Sequence, residues 1–204
     1  MIIHDYAQGS PEWLKFRASK PTSSKFGSLV TGLGKPSDGL REYAHLLAVE
    51  KYLGGPIEDD WQGNKFTDRG KAMEAEALAE YEMTNQVEVQ EVGFITDDLM
   101  RWGTSTDGLV DSNGVVEVKN MIATRFAMLK IYWKKHKKIP PEYIPQIQGE
   151  LFVSERAWCD WVAYHPQFEP IIVRHLPDLK FHALLKSQLM AVIAERNNIL
   201  KLIQ

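Results

Sequence analysis

The chain has a single cysteine, Cys159. One thiol excludes a disulfide within the chain and any zinc or iron–sulfur site built from several of its own cysteines. Set among Trp158, Trp161 and Val162, it reads as a buried, inert thiol. No apolar run approaches the ~18–20 residues needed to span a bilayer. The opening Met1-Ile2-Ile3-His4-Asp5 lacks the basic and apolar regions of a signal peptide, so a cytoplasmic protein is expected. Six histidines are present, without HExxH or a related metal-ligand spacing. The glycine-containing loop Gly32–Gly39 does not give GxxxxGK[ST], which excludes a P-loop nucleotide site. Overall basicity is missing too: the net charge is −3, so any surface for a polyanion must be local.

What remains is ordinary for a globular protein. Over 204 residues, 44% are hydrophobic and 25% charged, enough for one well-filled core. A single domain over 1–204 is expected, with no internal repeat or clear linker. Ser10-Pro11 opens a short helix with Trp13, Phe16 and Arg17 on adjacent faces. Thr22-Ser23-Ser24 reads as the cap of a second. Tyr43–Leu53 is apolar at helical spacing and ends at Gly54-Gly55-Pro56. Residues 68–83 form a strong helix, with Met73, Ala77, Leu78 and Tyr81 inward and Glu74 on the same face. Val87–Phe94 and Met100–Thr104 read as strands. A helix is predicted over Thr124–Lys138 and another over Tyr143–Val153. Strands follow over Trp158–Tyr164 and Ile171–His175. A helix from about 178 to 204 ends the chain, striped by Phe181, Leu184, Leu185, Leu189, Val192, Ile193, Ile199 and Leu200.

The chain is organised around Ser105–Lys119. Two apolar runs flank Asn113-Gly114, a pair suited to a tight hairpin turn. In an extended strand Glu117 and Lys119 share one face, while Val116 and Val118 share the other. A turn centred near Asn113 places Asp107 on the opposing strand, near Val118 and Lys119. Two close carboxylates repel unless positive charge sits between them. A hard cation with oxygen ligands, Mg²⁺ or Mn²⁺, suits that gap, and a neighbouring lysine can offset charge that develops in a transition state. The same fifteen residues also suit a polar hairpin of solvated pairs. Glu74, an acid on an apolar helix face, needs a partner, and a metal shared with Asp107 would supply one. Arg17 with Ser24 can form a phosphate pocket or an ordinary cap beside a surface arginine. Lys134, Lys135, His136, Lys137 and Lys138 suit either a helix C-terminus or a phosphate backbone.

Asp107 followed ten residues later by Glu117-Val118-Lys119 resembles the PD-(D/E)xK nuclease superfamily, with Thr106 where that pattern has proline. Six motifs in order sharpen the likeness. They are Gln8-Gly9 with Trp13 and Arg17; Thr22-Ser23-Ser24; Gly70-Lys71 with Glu74; Ser105-Thr106-Asp107-Gly108-Leu109; Glu117-Val118-Lys119; and Tyr143 with Gln146-Ile147-Gln148. Over about residues 8–175 the chain is similar to the lambda-type viral recombination exonucleases. The resemblance implies an α+β fold with a restriction-endonuclease-like core, a mixed central sheet flanked by helices. It implies a Mg²⁺-dependent 5′→3′ exonuclease on double-stranded DNA ends, leaving 3′ single-stranded tails for strand annealing. By the same resemblance Asp107 bridges two metal ions, Glu117 and the Val118 carbonyl complete one site, and Glu74 binds the other. Lys119 orients the attacking water, and Arg17, Ser24, Ser105 and Gln146 hold the 5′-terminal phosphate. A homotrimeric ring, a single-strand annealing partner and a phage or prophage protein in a bacterial cytoplasm are implied as well. An endonuclease or junction resolvase of the same superfamily, or an inactive DNA-binding relative, is the alternative. The C-terminal helix matches none of these motifs.

Overall fold

The structure is a computed structural model that describes residues 1–57 and 68–204. Strand β1 (Ile2–His4) leads to α1 (Pro11–Arg17), where the Ser10 hydroxyl accepts the Trp13 backbone N–H at 3.1 Å. The expected helix after Thr22 is a 3₁₀ turn over Ser23–Ser28, and Thr22 makes no side-chain cap. Its backbone N–H is instead bonded to the buried Tyr43 hydroxyl at 2.9 Å. Next come α2 (Leu40–Leu53), ended by Gly54 at φ 72°, and α3 (Asp68–Asn85). The expected Val87–Phe94 strand is split into β2 (Val89–Gln90) and β3 (Phe94–Thr96), which enter different sheets. Strands β4 (Gly103–Thr104), β5 (Gly108–Val110) and β6 (Gly114–Asn120) follow. Helix α4 (Ala123–His136), a 3₁₀ turn (Pro141–Tyr143) and α5 (Ile144–Ser154) lead to β7 (Trp158–Tyr164) and β8 (Ile171–His175). Helix α6 (Leu179–Ile203) starts where the Asp178 carboxylate accepts the N–H groups of Lys180 and Phe181.

The main sheet runs β2-β5-β6-β7-β8, with β6 and β7 parallel and every other pair antiparallel. A smaller antiparallel sheet, β1-β3-β4, lies beside it. Alternation along β6 divides the core. Val115 joins the larger cluster with Trp161, Ile147, Leu185 and Leu189, while Val116 and Val118 join Ala77, Leu78 and Tyr81 of α3. The odd-numbered face of β6, which carries Glu117 and Lys119, therefore looks toward α5.

The hairpin turn differs from the sequence expectation. The connection is Asp111-Ser112-Asn113, with Asp111 at φ 48°, and Gly114 is already the first residue of β6, paired with Val110. Gly114 is needed for space: a Cβ there would lie 2.2 Å from the Trp158 ring. The Gly108–Val116 pairing, extended by one step, sets Asp107 opposite Glu117 rather than nearer Lys119.

Candidate active site

The hairpin delivers four of the expected residues, Asp107, Glu117, Val118 and Lys119, to one place. Asp107 lies one residue before β5, and its Oδ2 accepts the Val118 N–H at 2.6 Å. In an extended strand a residue's N–H and C=O leave along the same edge, so the Val118 carbonyl also faces the Asp107 side. Glu117 is 3% exposed, and its Oε1 accepts hydrogen bonds from Lys119 Nζ and from Gln146 Nε2, the latter at 2.5 Å. Glu117 Oε2 is buried without a hydrogen-bond partner among the described residues. Among the described residues only one oxygen of this carboxylate is thus tied down. Glu74 approaches from α3, and its charge reaches Asp107.

Electrostatics follow from burial. The Asp107 carboxyl is held well above the usual carboxylate range, first by burial, then by Glu117 and Glu74. Lys119 and the Val118 N–H pull the other way. Burial alone would lower the Lys119 ammonium, but Glu117, Asp107 and Glu150 together raise it above its ordinary value. Lys119 remains protonated at neutral pH. Beside these acids it is a hydrogen-bond donor and a counter-charge.

Gln146 and a residue outside every motif complete the cluster. The Gln146 side-chain oxygen accepts from Lys119 Nζ at 2.9 Å, and its nitrogen donates to Glu150 Oε1 at 3.0 Å as well as to Glu117. Gln146 thus sits among the acids. Glu150 is fully buried, its carboxyl pushed up by burial and then by Glu117 and Asp107. A signal for it exists in the sequence: Gln146 and Glu150 are four apart on α5, on the face that buries Ile147 and Leu151. Cys159 touches Glu150 at 3.8 Å, and burial pushes its thiol well up, as expected of an inert thiol.

A second group forms beside the 3₁₀ turn. The Arg17 guanidinium stacks 4.3 Å from the Trp13 ring centroid and donates to the Thr22 and Ser24 hydroxyls at 3.4 and 3.5 Å. Burial lowers its pKa, and none of the ion pairs among the described residues involves it. Ser23 bonds Thr104 at 2.6 Å, which sets Ser105 next to this turn with its hydroxyl buried and unpartnered among the described residues. Gly149 lets α5 close on the turn: a Cβ there would lie 2.4 Å from the Phe26 ring. Gln8 serves the backbone, donating to the carbonyls of Val92 and Thr106, both at 2.9 Å. Thr106 donates to the Val116 carbonyl at 2.9 Å and ties the hairpin together. The Lys71 side chain lies outside the described residues.

Among the described residues, no three His, Cys, Asp or Glu side chains form a closed set of metal ligands. The donors nonetheless fit a hard cation. Mg²⁺ keeps several waters and takes one or two carboxylates plus substrate oxygens, and Asp107, the orphan Glu117 oxygen and the Val118 carbonyl offer that kind of set.

The YqaJ-like viral recombinase domain family matches residues 12–157. An alkaline exonuclease from Laribacter hongkongensis superposes with a TM-score of 0.79 at 26% identity, over 95% of this chain and 96% of that one. The same exonuclease in complex with dAMP gives 0.78 at 26%, with the same coverage. A phage-related exonuclease from Haemophilus somnus 129PT shares the fold, with a TM-score of 0.70 at 16% identity over 91% of this chain and 96% of that one. No curated protein matches the sequence at a significant level.

Proposed function

Because the chain belongs to the YqaJ-like viral recombinase family, we propose that it is a divalent-metal-dependent nuclease that degrades one strand of double-stranded DNA 5′→3′ from its ends. The 3′ single-stranded tails would feed recombination by strand annealing. The observation that carries this reading is the buried Glu117 carboxylate opposite Asp107, with one oxygen tied to Lys119 and Gln146 and the other without a partner among the described residues.

Asp107, Glu117 and the Val118 carbonyl would hold one Mg²⁺, or Mn²⁺ in its place, and Asp107 with Glu74 a second. Metal held there would supply Lewis-acid chemistry: polarisation of the scissile phosphate, activation of water and support for the leaving oxygen. The chain's own residues do the rest. Lys119 has three N–H donors, of which Glu117 and Gln146 take two. The third can orient the attacking water or meet charge developing on the phosphate. Gln146 fixes the ammonium from the far side, and Glu150 fixes Gln146.

Arg17, Ser24 and Ser105 suit a terminal phosphate. Such a group carries more negative charge than an internal diester, and a guanidinium can grip it with two parallel hydrogen bonds. Each cut that leaves a new 5′-phosphate would regenerate the ligand. A nuclease domain spanning 1–204, a homotrimeric ring, a single-strand annealing partner and action in a bacterial host's cytoplasm belong to the same reading and rest on the family resemblance. Among the described residues no helix is long and apolar enough to cross a membrane.

The test is a time course on linear duplexes with 5′-phosphate or 5′-hydroxyl ends and on a covalently closed plasmid, with and without Mg²⁺. The reading requires Mg²⁺-dependent loss of linear DNA, faster initiation on phosphorylated ends, and an intact plasmid. A nicked or linearised plasmid would instead favour internal cleavage.

A further inference from the structure

The chain leaves the acid cluster at Lys119 and returns to it at Gln146, whose side-chain oxygen is 2.9 Å from Lys119 Nζ. Between those two points it travels out along α4 and back through the Pro141–Tyr143 turn. Residues 121–141 hold no aspartate or glutamate but six cations: Arg125, Lys130, Lys134, Lys135, Lys137 and Lys138. That stretch carries +6 within a chain of net −3, which leaves −9 on everything else.

Four of the six crowd the far tip, and Lys134, Lys135, Lys137 and Lys138 are all exposed. No ion pair among the described residues uses any of them. A helix C-terminus attracts cations with only about half an elementary charge, too little to account for four lysines that pair with no acid among the described residues. The tip is also shaped. Lys137 adopts a left-handed conformation at φ 51°, its N–H bonded to the Trp133 carbonyl at 2.9 Å, and Pro140-Pro141 come after Lys138 and Ile139. Helix α4 has 14 residues, so at 1.5 Å per residue the tip stands about 20 Å from the helix start beside the acid cluster.

We propose that the Lys134–Lys138 tip is a second duplex-binding site, a clamp on the phosphate backbone roughly six base pairs from the scissile phosphate, taking about 3.4 Å per base pair. The proposal rests on the reading of the acid cluster as a DNA-cleaving site. Charge selects the occupant: four ammonium groups without an ion pair among the described residues, on an acidic protein, suit a polyanion. Met128 and Ile131, exposed along α4, would form the interface if the occupant were a second copy of this chain.

The test compares wild type with K134A/K135A/K137A/K138A, and with the corresponding four-arginine variant, which keeps charge. Binding to a 20-base-pair duplex is measured in Ca²⁺ across a salt series. The slope of log K against log salt should fall in magnitude by about 2–4 in the alanine variant, close to 0.9 for each phosphate no longer neutralised, and stay at the wild-type value in the arginine variant. Affinity for that duplex at low salt should drop roughly tenfold or more, while a four-base-pair hairpin, too short to reach the tip, binds both proteins alike. Cleavage at saturating DNA should be unchanged, because these lysines do not touch the acid cluster. An unaltered slope, an equal loss on the short hairpin, or a changed sedimentation coefficient in the alanine variant overturns the proposal. Failure of the wild type to cleave DNA with Mg²⁺ would overturn the underlying functional reading instead, so the two failures are distinguishable.

Discussion

Gln146 and Lys119 meet at 2.9 Å, and the same Gln146 amide donates to Glu117 and Glu150. A neutral side chain thus joins an ammonium to two buried carboxylates, with Asp107 on the opposing side of the hairpin across from Glu117. The consequences are measurable one residue at a time.

Asp107→Ala should abolish cleavage while the fold survives. Burial and neighbouring acids already disfavour its charge, so the metal-free variant should melt at or above the wild-type temperature. Millimolar Mg²⁺ should raise the melting temperature of the wild type by binding only the folded form, and should fail to do so in the variant. A variant that is unfolded at room temperature would make Asp107 structural.

Lys119→Ala should lower turnover by about 10²–10³-fold, the range for removing one preorganised stabiliser of a transition state. Single-turnover rates at saturating DNA would read this, with equilibrium binding little changed. Near-normal turnover would take Lys119 out of the chemistry.

Arg17→Ala should remove most of the preference for 5′-phosphate over 5′-hydroxyl ends and shorten processive runs, with metal binding retained. Its guanidinium rests on hydroxyls and the Trp13 ring, so the loss should be of recognition first. The informative quantity is the ratio of initiation rates on the two ends, since general damage lowers both together.

Asp160→Asn tests the opposite face of the sheet. Asp160, 2% exposed, receives two bonds of 2.8 Å from Arg174 and one of 2.7 Å from the Tyr81 hydroxyl, which fastens α3 to β7. Arg174 is 53% exposed, so solvent screens the pair, and the loss should fall between the ~1 kcal/mol of an exposed pair and the ~3 kcal/mol of a buried one. Denaturant unfolding should show that loss, with the cleavage rate per folded molecule nearly unchanged.

Acid should destabilise the protein through His175 and His182. Burial lowers both pKa values below the ordinary 6.5, and both Nε2 atoms are buried without a partner among the described residues. Above about pH 6.5 both folded and unfolded states are neutral at these sites, so they leave stability flat there. Below it the unfolded chain takes up protons first, so stability falls as the pH drops through the folded-state values. Melts from pH 8 to 5 should show less acid loss in His182→Gln than in the wild type.

The elements with strong periodicity were legible in the sequence. Helices α2, α3 and α6 and strands β7 and β8 lie within a few residues of expectation, because each buries a continuous apolar stripe. The hairpin was legible in kind but not in register. Asn113-Gly114 suggested a two-residue turn, yet the bulk of Trp158, forty-four residues later, claims Gly114 for the strand. The split between β2 and β3 was hidden for a similar reason: a Cβ at Gly93 would lie 2.1 Å from the Tyr6 carbonyl oxygen, a close approach no local pattern announces. Glu150 was missed because it reads as one acid in an otherwise apolar helix. Its i,i+4 spacing from Gln146 could be read from the sequence, but only the fold reveals that Glu117 is a neighbour too.

Helix α6 carries none of the motifs, yet it reaches the N-terminal group. Arg196, 9% exposed, donates to the Ser19 carbonyl at 2.7 Å, while Glu50 accepts the Ser19 N–H at 2.6 Å. Ser19, at φ 63°, lies in the turn between Arg17 and Thr22. A helix that leaves the ribosome after all the others described therefore pins the turn that follows the first. A nascent chain will have synthesised every acid of the cluster before the bend behind Arg17 is fastened. Grip on a DNA end should mature last, after the chemistry it would direct.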